Sequence, residues 1–126
     1  MKTIVLSIGM LLLTSLAFAG AMLEVELRTT DFGLLPGGMR YWRTATISNT
    51  GDAPLVIKSV KSSWGGAVMN FPRVPIAPGE KVVTEFVIHL SEHMRGKQQK
   101  IFTIESNAEN TPKYLLRYRF EVAEKA

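Results

Sequence analysis

The two histidines of the chain lie in one five-residue segment, HLSEH at 89–93. His89, Glu92 and His93 spell H-x-x-E-H, a metalloprotease pattern when it lies on a helix, because both histidines then share a face and can reach one zinc ion. The glutamate would act on a metal-bound water. Here the segment continues an alternating strand pattern and leads into Arg95-Gly96. We therefore predict a strand end and a loop with no metal, and a small zinc hydrolase is the weakest alternative for function.

Other catalytic patterns are missing from the sequence. The 126 residues contain no cysteine, so a thiol nucleophile, a disulfide and Cys-ligated zinc are excluded. A Gly-x-Ser-x-Gly elbow, a phosphate-binding glycine loop and a nucleotide fingerprint are also absent. We predict that the protein is not an enzyme and uses no cofactor.

Residues 62–68, SSWGGAV, form the first candidate binding site, with one large aromatic residue beside a glycine pair. Gly65 and Gly66 would permit a sharp chain reversal. Trp64 either covers one end of the core or stands out as an anchor for a partner or a glycan. The alternation of residues 41–47 would place Trp42 on the outer face of its strand, which favours the anchor interpretation.

Arg117 and Arg119, together with Lys113, form a second candidate, a basic stripe on the polar face of the last predicted strand. Such a stripe is either a solvated face or a surface for an anionic envelope polymer or an acidic partner. The net charge of +4 is small and the basic residues are scattered along the chain. This distribution predicts no nucleic-acid binding.

The first 19 residues read as a signal peptide. Lys2 provides a positive start, residues 4–16 are almost wholly apolar, and Ala17-Phe18-Ala19 is a small-x-small cleavage site. The apolar run is short for a membrane span, and no later run approaches ~20 residues. We predict a periplasmic or secreted protein with one domain over 20–126 and no stable membrane span; an uncleaved N-terminal anchor is the alternative.

Period-two alternation of apolar and polar residues recurs along the rest of the chain. It predicts seven strands with Gly- or Pro-containing turns between them, at 22–28, 41–48, 55–62, 67–71, 80–90, 99–105 and 113–122. Short strands at this spacing, without helices between them, predict an all-β, antiparallel sandwich.

Four segments in order carry a resemblance to a known family: Asp31-Phe32-Gly33, ISNTGDAPLVI at 47–57, PIAPGE at 75–80 and IESN at 104–107. Together they resemble the bacterial family called domain of unknown function 1573, which is similar to the immunoglobulin-like domains of Hydin and major sperm protein. The resemblance implies a seven-stranded immunoglobulin-like sandwich. Family members commonly carry Ser-Cys-Gly-Cys where this chain has Ser63-Trp64-Gly65-Gly66, so a redox or metal role does not carry over.

These observations predict an exported, non-catalytic binding or structural module of a bacterial cell envelope. We expect it to recognise an envelope or secreted protein through loops or by pairing an exposed strand edge, either near 23–27 or along the last strand. A single-domain assembly chaperone that lends a strand to a secreted subunit is the alternative.

Overall fold

The computed structural model describes residues 20–124, so the predicted signal peptide lies outside the described residues. The described part forms eight strands: β1 (Leu23–Leu27), β2 (Asp31–Leu35), β3 (Arg40–Asn49), β4 (Ile57–Ser62), β5 (Ala67–Met69), β6 (Lys81–His89), β7 (Gly96–Ser106) and β8 (Lys113–Val122). Within this part, no helix has the length and apolar character needed to cross a membrane.

The strands form two four-stranded sheets, in the orders β1-β3-β6-β5 and β2-β8-β7-β4. Alternation explains how the sheets pack, because every second side chain of β8 points inward: Leu116, Tyr118, Phe120 and Val122 are buried and their neighbours are exposed. β1 and β2 follow each other in the chain but belong to different sheets. The chain therefore crosses from one sheet to the other at residues 28–30.

The prediction of seven antiparallel strands is wrong in two respects. The structure has an eighth strand, β2, and β2 pairs with β8 in parallel. β2 carries no period-two signal because Gly33 adopts a φ of 75° and the pairing register shifts between Asp31 and Leu34. The N–H of Gly33 donates to the Asp31 carboxylate at 2.9 Å, which stabilises this irregular conformation.

The core between the sheets centres on Tyr118. Its ring lies 5.5 Å from the rings of Phe32 and Phe102 and 5.7 Å from that of Phe86, measured between centroids. Phe32 comes from β2, so the strand that the alternation missed contributes a ring to the core. Aromatic pairs at these separations stabilise a core beyond the area that they bury.

Asn49 is the most deeply buried of three buried polar residues in the described part of the chain and is 1% exposed. Its Oδ1 accepts from the backbone N–H groups of Met22 (3.3 Å) and Gly51 (3.0 Å). Its Nδ2 donates to the carbonyls of Ala53 (2.8 Å) and Ile76 (2.9 Å). Asn49 therefore ties the start of β1, the turn after β3 and the segment before β6 to one point, and all its amide groups are paired.

The strand edges differ from the prediction in one case. β1 is an edge strand as predicted, but β8 lies between β2 and β7 and is not an edge. At the open side of β1, the Asn110 side chain accepts from the N–H of Leu23 and donates to its carbonyl, both at 3.0 Å. The Tyr114 hydroxyl donates to the carbonyl of Val25 at 3.4 Å. Side chains thus occupy much of the backbone that an added strand would need.

Candidate functional site

Trp64 packs onto the end of the core. Its Nε1–H donates to the Tyr118 hydroxyl at 2.9 Å, and its ring centroid lies 6.2 Å from that of Phe120. The Lys100 ammonium lies 4.8 Å from the centre of the indole, within range of a cation–π contact. The side chain is half-buried, and its polar atom is already bonded inside the protein. The geometry is that of a cover over the core.

The two glycines of this loop have different roles. A Cβ on Gly66 would lie closer to the Trp64 ring than the 3.0 Å that real Cβ atoms respect, whereas a Cβ on Gly65 would meet nothing within 4 Å. Neither residue has a positive φ. Gly66 is therefore required by the close approach of the indole rather than by the chain reversal that the sequence suggested.

The Tyr118 hydroxyl predicts a pH dependence of stability. Burial raises its pKa to about 12, and the hydrogen bond from Trp64 opposes that rise. Unfolded tyrosine ionises near pH 10, so the unfolded state loses the proton first and the free energy of unfolding falls as pH rises from about 10 towards 12.

We expect urea titrations of the wild type and Tyr118→Phe to show this difference. The wild type should lose stability more steeply above pH 10, because the variant has no phenol at this position to ionise. Parallel losses in the two proteins over that pH range would contradict the assignment.

The H-x-x-E-H segment does not form a helix. β6 ends at His89, and Glu92 and His93 lie exposed in the loop that follows, so the predicted strand end is confirmed. Across residues 20–124, no cluster of three or more His, Asp or Glu side chains could hold a metal ion. The arrangement that would let both histidines share a metal on one helical face is therefore not formed.

The basic stripe on β8 is partly neutralised by its neighbours. Arg119 Nε donates to the Asp31 carboxylate of β2 at 3.0 Å. Lys113 lies directly opposite Glu105 of β7, close enough for opposite charges to attract. Arg117 faces the apolar Ile101 of β7 and forms no ion pair within residues 20–124. The stripe therefore offers an anionic polymer a weaker positive charge than three uncompensated basic residues would.

A depression of about 580 Å³ lies over the same sheet, on β2, β7 and β8. Its charged lining residues again form opposite pairs: Arg119 with Asp31, and Lys97 across from Glu121. The depression is large enough for a ligand, but each charged residue in its lining has a neighbour of opposite charge within the protein.

The outer face of the other sheet carries an apolar row. Val87 of β6 pairs with Trp42 of β3 on one side and with Val68 of β5 on the other, so the three side chains line up across the strands. Trp42 is 54% exposed and Val68 is 63% exposed. We call these three residues the Trp42 row. The alternation of residues 41–47 indicated that Trp42 points outward, but the register that aligns the row depends on long-range pairing.

Two shallow depressions flank the indole of Trp42. One, of about 360 Å³, lies towards β5 and β6 and includes Arg40, His89, Gly65 and Gly66 in its lining. The other, of about 260 Å³, lies towards the end of β1. Thus Gly65 and Gly66 of the candidate loop border the Trp42 row, whereas Trp64 itself faces the core.

The fold has relatives among solved structures. The chain is 18% identical to a protein of unknown function from Porphyromonas gingivalis W83, at a TM-score of 0.69 over 83% of this chain and 48% of that one. It is 20% identical to the secreted serine protease VesC from Vibrio cholerae, at a TM-score of 0.64 over 83% of this chain and 24% of that one. The chain thus spans less than half of either protein.

A PapD-like domain of human CEP192 is 12% identical, at a TM-score of 0.54 over 80% of this chain and 84% of that one. At these identities the likeness shows the fold alone, and it confirms the prediction of an immunoglobulin-like sandwich. No curated protein matches the chain. The family profile that matches covers residues 23–119, and the chain therefore belongs to the family described as protein of unknown function (DUF1573).

Proposed function

We propose that the protein is an exported, non-catalytic binding module of the bacterial cell envelope and that the Trp42 row is its recognition surface. One observation carries the proposal: a tryptophan and two valines are aligned across three strands on a solvent-facing sheet. Large aromatic side chains at the surface are the residues that most often anchor a binding partner. The signal-peptide pattern of residues 1–19 supports export.

The other surfaces expected from the sequence support binding less well. The indole N–H of Trp64 donates to the Tyr118 hydroxyl inside the protein and is therefore not available to a partner. The open side of β1 is occupied by Asn110 and Tyr114, which disfavours strand addition at β1, the edge strand that the sequence indicated. Arg119 is paired with Asp31. Among the residues that the structure describes, Trp42 is the one aromatic side chain that is exposed, so the Trp42 row is the surface best suited to anchor a partner.

Co-sedimentation with the insoluble envelope fraction of the host tests the proposal, because it detects binding to any envelope component. The processed protein should pellet with the envelope, and Trp42→Ala should bind at least tenfold more weakly, a loss of about 1.4 kcal/mol. Val83→Ala is the matched control, since Val83 is 67% exposed on the same sheet and opposite Thr46 rather than Trp42. That variant should pellet like the wild type.

Melting curves separate binding from folding in this experiment. Both substituted side chains are exposed, so both variants should lose at most about 1 kcal/mol of stability. Equal pelleting of the wild type and a fully folded Trp42→Ala would contradict the proposal, and so would failure of the wild type to pellet.

A further inference from the structure

We infer that the Trp42 row binds a linear glycan that carries carboxylate groups and lies across the strands of the sheet. This inference rests on the proposed function and specifies the chemistry of its ligand. It depends on four features of the surface: an apolar ridge, polar groups on both sides of that ridge, two depressions beside the indole, and an excess of arginine.

The apolar ridge requires a ligand with an apolar face. The row spans three neighbouring strands, or about 10 Å between the outer strand axes. The backbone beneath it is committed to β3–β6 and β5–β6 pairing, so contacts must come from side chains. A pyranose ring suits such a surface, because its C–H groups form an apolar face that can stack on an indole while its hydroxyls point to the rim.

Polar side chains lie on both sides of the ridge, one step along the outer face in each direction. Arg40 lies opposite His89 on one side, and Thr44 lies opposite Glu85 on the other. Each pair is about 7 Å along the strands from the Trp42 row. Donors and acceptors at this spacing can meet the hydroxyls of a ring stacked on the indole.

The two depressions indicate a chain rather than a single sugar. They lie on opposite sides of the indole in the direction that crosses the strands, with volumes of about 360 Å³ and 260 Å³. A linear glycan stacked on Trp42 would place its neighbouring sugars in these depressions.

The charge around Trp42 favours an acidic glycan. Arg40 lines one depression, and Arg28 and Arg43 line the other. Arg43 lies on the opposite face of β3 from Trp42, with its guanidinium bonded to the Trp42 carbonyl at 2.8 Å and 5.1 Å from the Phe32 ring centre, so Arg40 and Arg28 are the arginines that a ligand on the Trp42 row would meet. A third and smaller depression beside Trp42, of about 150 Å³, is lined by Glu85, which is the single acid among the residues that line these three depressions in the described structure. Carboxylates on the sugar would meet this excess of arginine.

Two oligosaccharides of equal length and linkage test the inference: a six-sugar β-1,4-mannuronate and cellohexaose, which has no carboxylates. In calorimetric titrations of the processed protein at low salt, mannuronate should bind at least tenfold more tightly. Trp42→Ala should weaken the binding of both sugars at least tenfold. Arg40→Gln should weaken mannuronate binding at least threefold and leave cellohexaose unchanged, and Val83→Ala should change neither. Added salt should reduce the advantage of mannuronate.

Three results would overturn the inference. The first is that neither sugar binds in a manner that depends on Trp42, and the second is that both sugars bind equally tightly. The third is that protease treatment of the envelope abolishes co-sedimentation of the protein. The last result would assign the Trp42 row to a protein partner, so the proposed function would stand while the glycan inference fails. The proposed function itself would be contradicted if the wild type and Trp42→Ala co-sedimented equally with untreated envelope.

Discussion

Replacement of Asn49 by aspartate is expected to lower the free energy of unfolding by about 3–5 kcal/mol at pH 7. The substitution keeps the shape of the side chain but removes both hydrogens that Nδ2 donates to the carbonyls of Ala53 and Ile76. It also places a buried negative charge against those two carbonyl oxygens. Because a domain of this size has only about 5–15 kcal/mol of stability, the variant should be close to unfolding.

Urea denaturation with Asn70→Asp as the control measures this effect. The side chain of Asn70 is exposed, so its variant should stay within about 0.5 kcal/mol of the wild type. The gap between Asn49→Asp and the wild type should narrow near pH 4, where the new carboxyl can hold a proton and donate one hydrogen bond. A gap that is small at pH 7, or identical at both pH values, would contradict the role given to Asn49.

Substitution of Gly66 by alanine is the second large effect, with an expected loss of about 1–3 kcal/mol. The added methyl group would occupy the space of the Trp64 ring, so either the indole moves off Tyr118 or the loop shifts. The Nε1–H resonance of Trp64 in a ¹⁵N-labelled sample should move or broaden as its hydrogen bond to Tyr118 is lost.

Gly65→Ala provides the matched control for this substitution, one residue away in the same loop. Its methyl group would meet nothing within 4 Å, and its φ is not positive, so it should be neutral or slightly stabilising. Equal losses in the two variants would show that backbone freedom, and not room for the indole, explains the glycine pair.

The sequence predicted most of the fold because alternation and turn residues are local signals. β6 and β8 were predicted from the alternation of apolar and polar residues alone, and the structure buries their apolar positions. β2 was not predicted, because its burial pattern depends on the irregular pairing between Asp31 and Leu34 and on a parallel partner, β8, that lies about 80 residues further along the chain. The four hydrogen bonds of the Asn49 side chain could not be predicted either. The segment ISNTGD indicates only a turn, and one of the four partners, the carbonyl of Ile76, is 27 residues away.

The candidate site was predicted less well, because side chains on different strands meet only through register. Trp64 was recognised as a prominent aromatic residue, but its bond to Tyr118 joins positions 54 residues apart. The outward direction of Trp42 followed from alternation, whereas its alignment with Val87 and Val68 needed the β3–β6 and β5–β6 registers. The partial neutralisation of Arg119 needed the position of Asp31 on the neighbouring strand.

The two tryptophans of the chain allow the central claim to be tested in one spectrum, because one is exposed and the other is bonded into the core. Solubilised envelope fragments would be titrated into the ¹⁵N-labelled protein while both indole Nε1–H resonances are followed. If the Trp42 row is the recognition surface, the Trp42 resonance moves with saturation and the Trp64 resonance stays in place. Movement of Trp64 alone, or of neither resonance, would contradict the assignment.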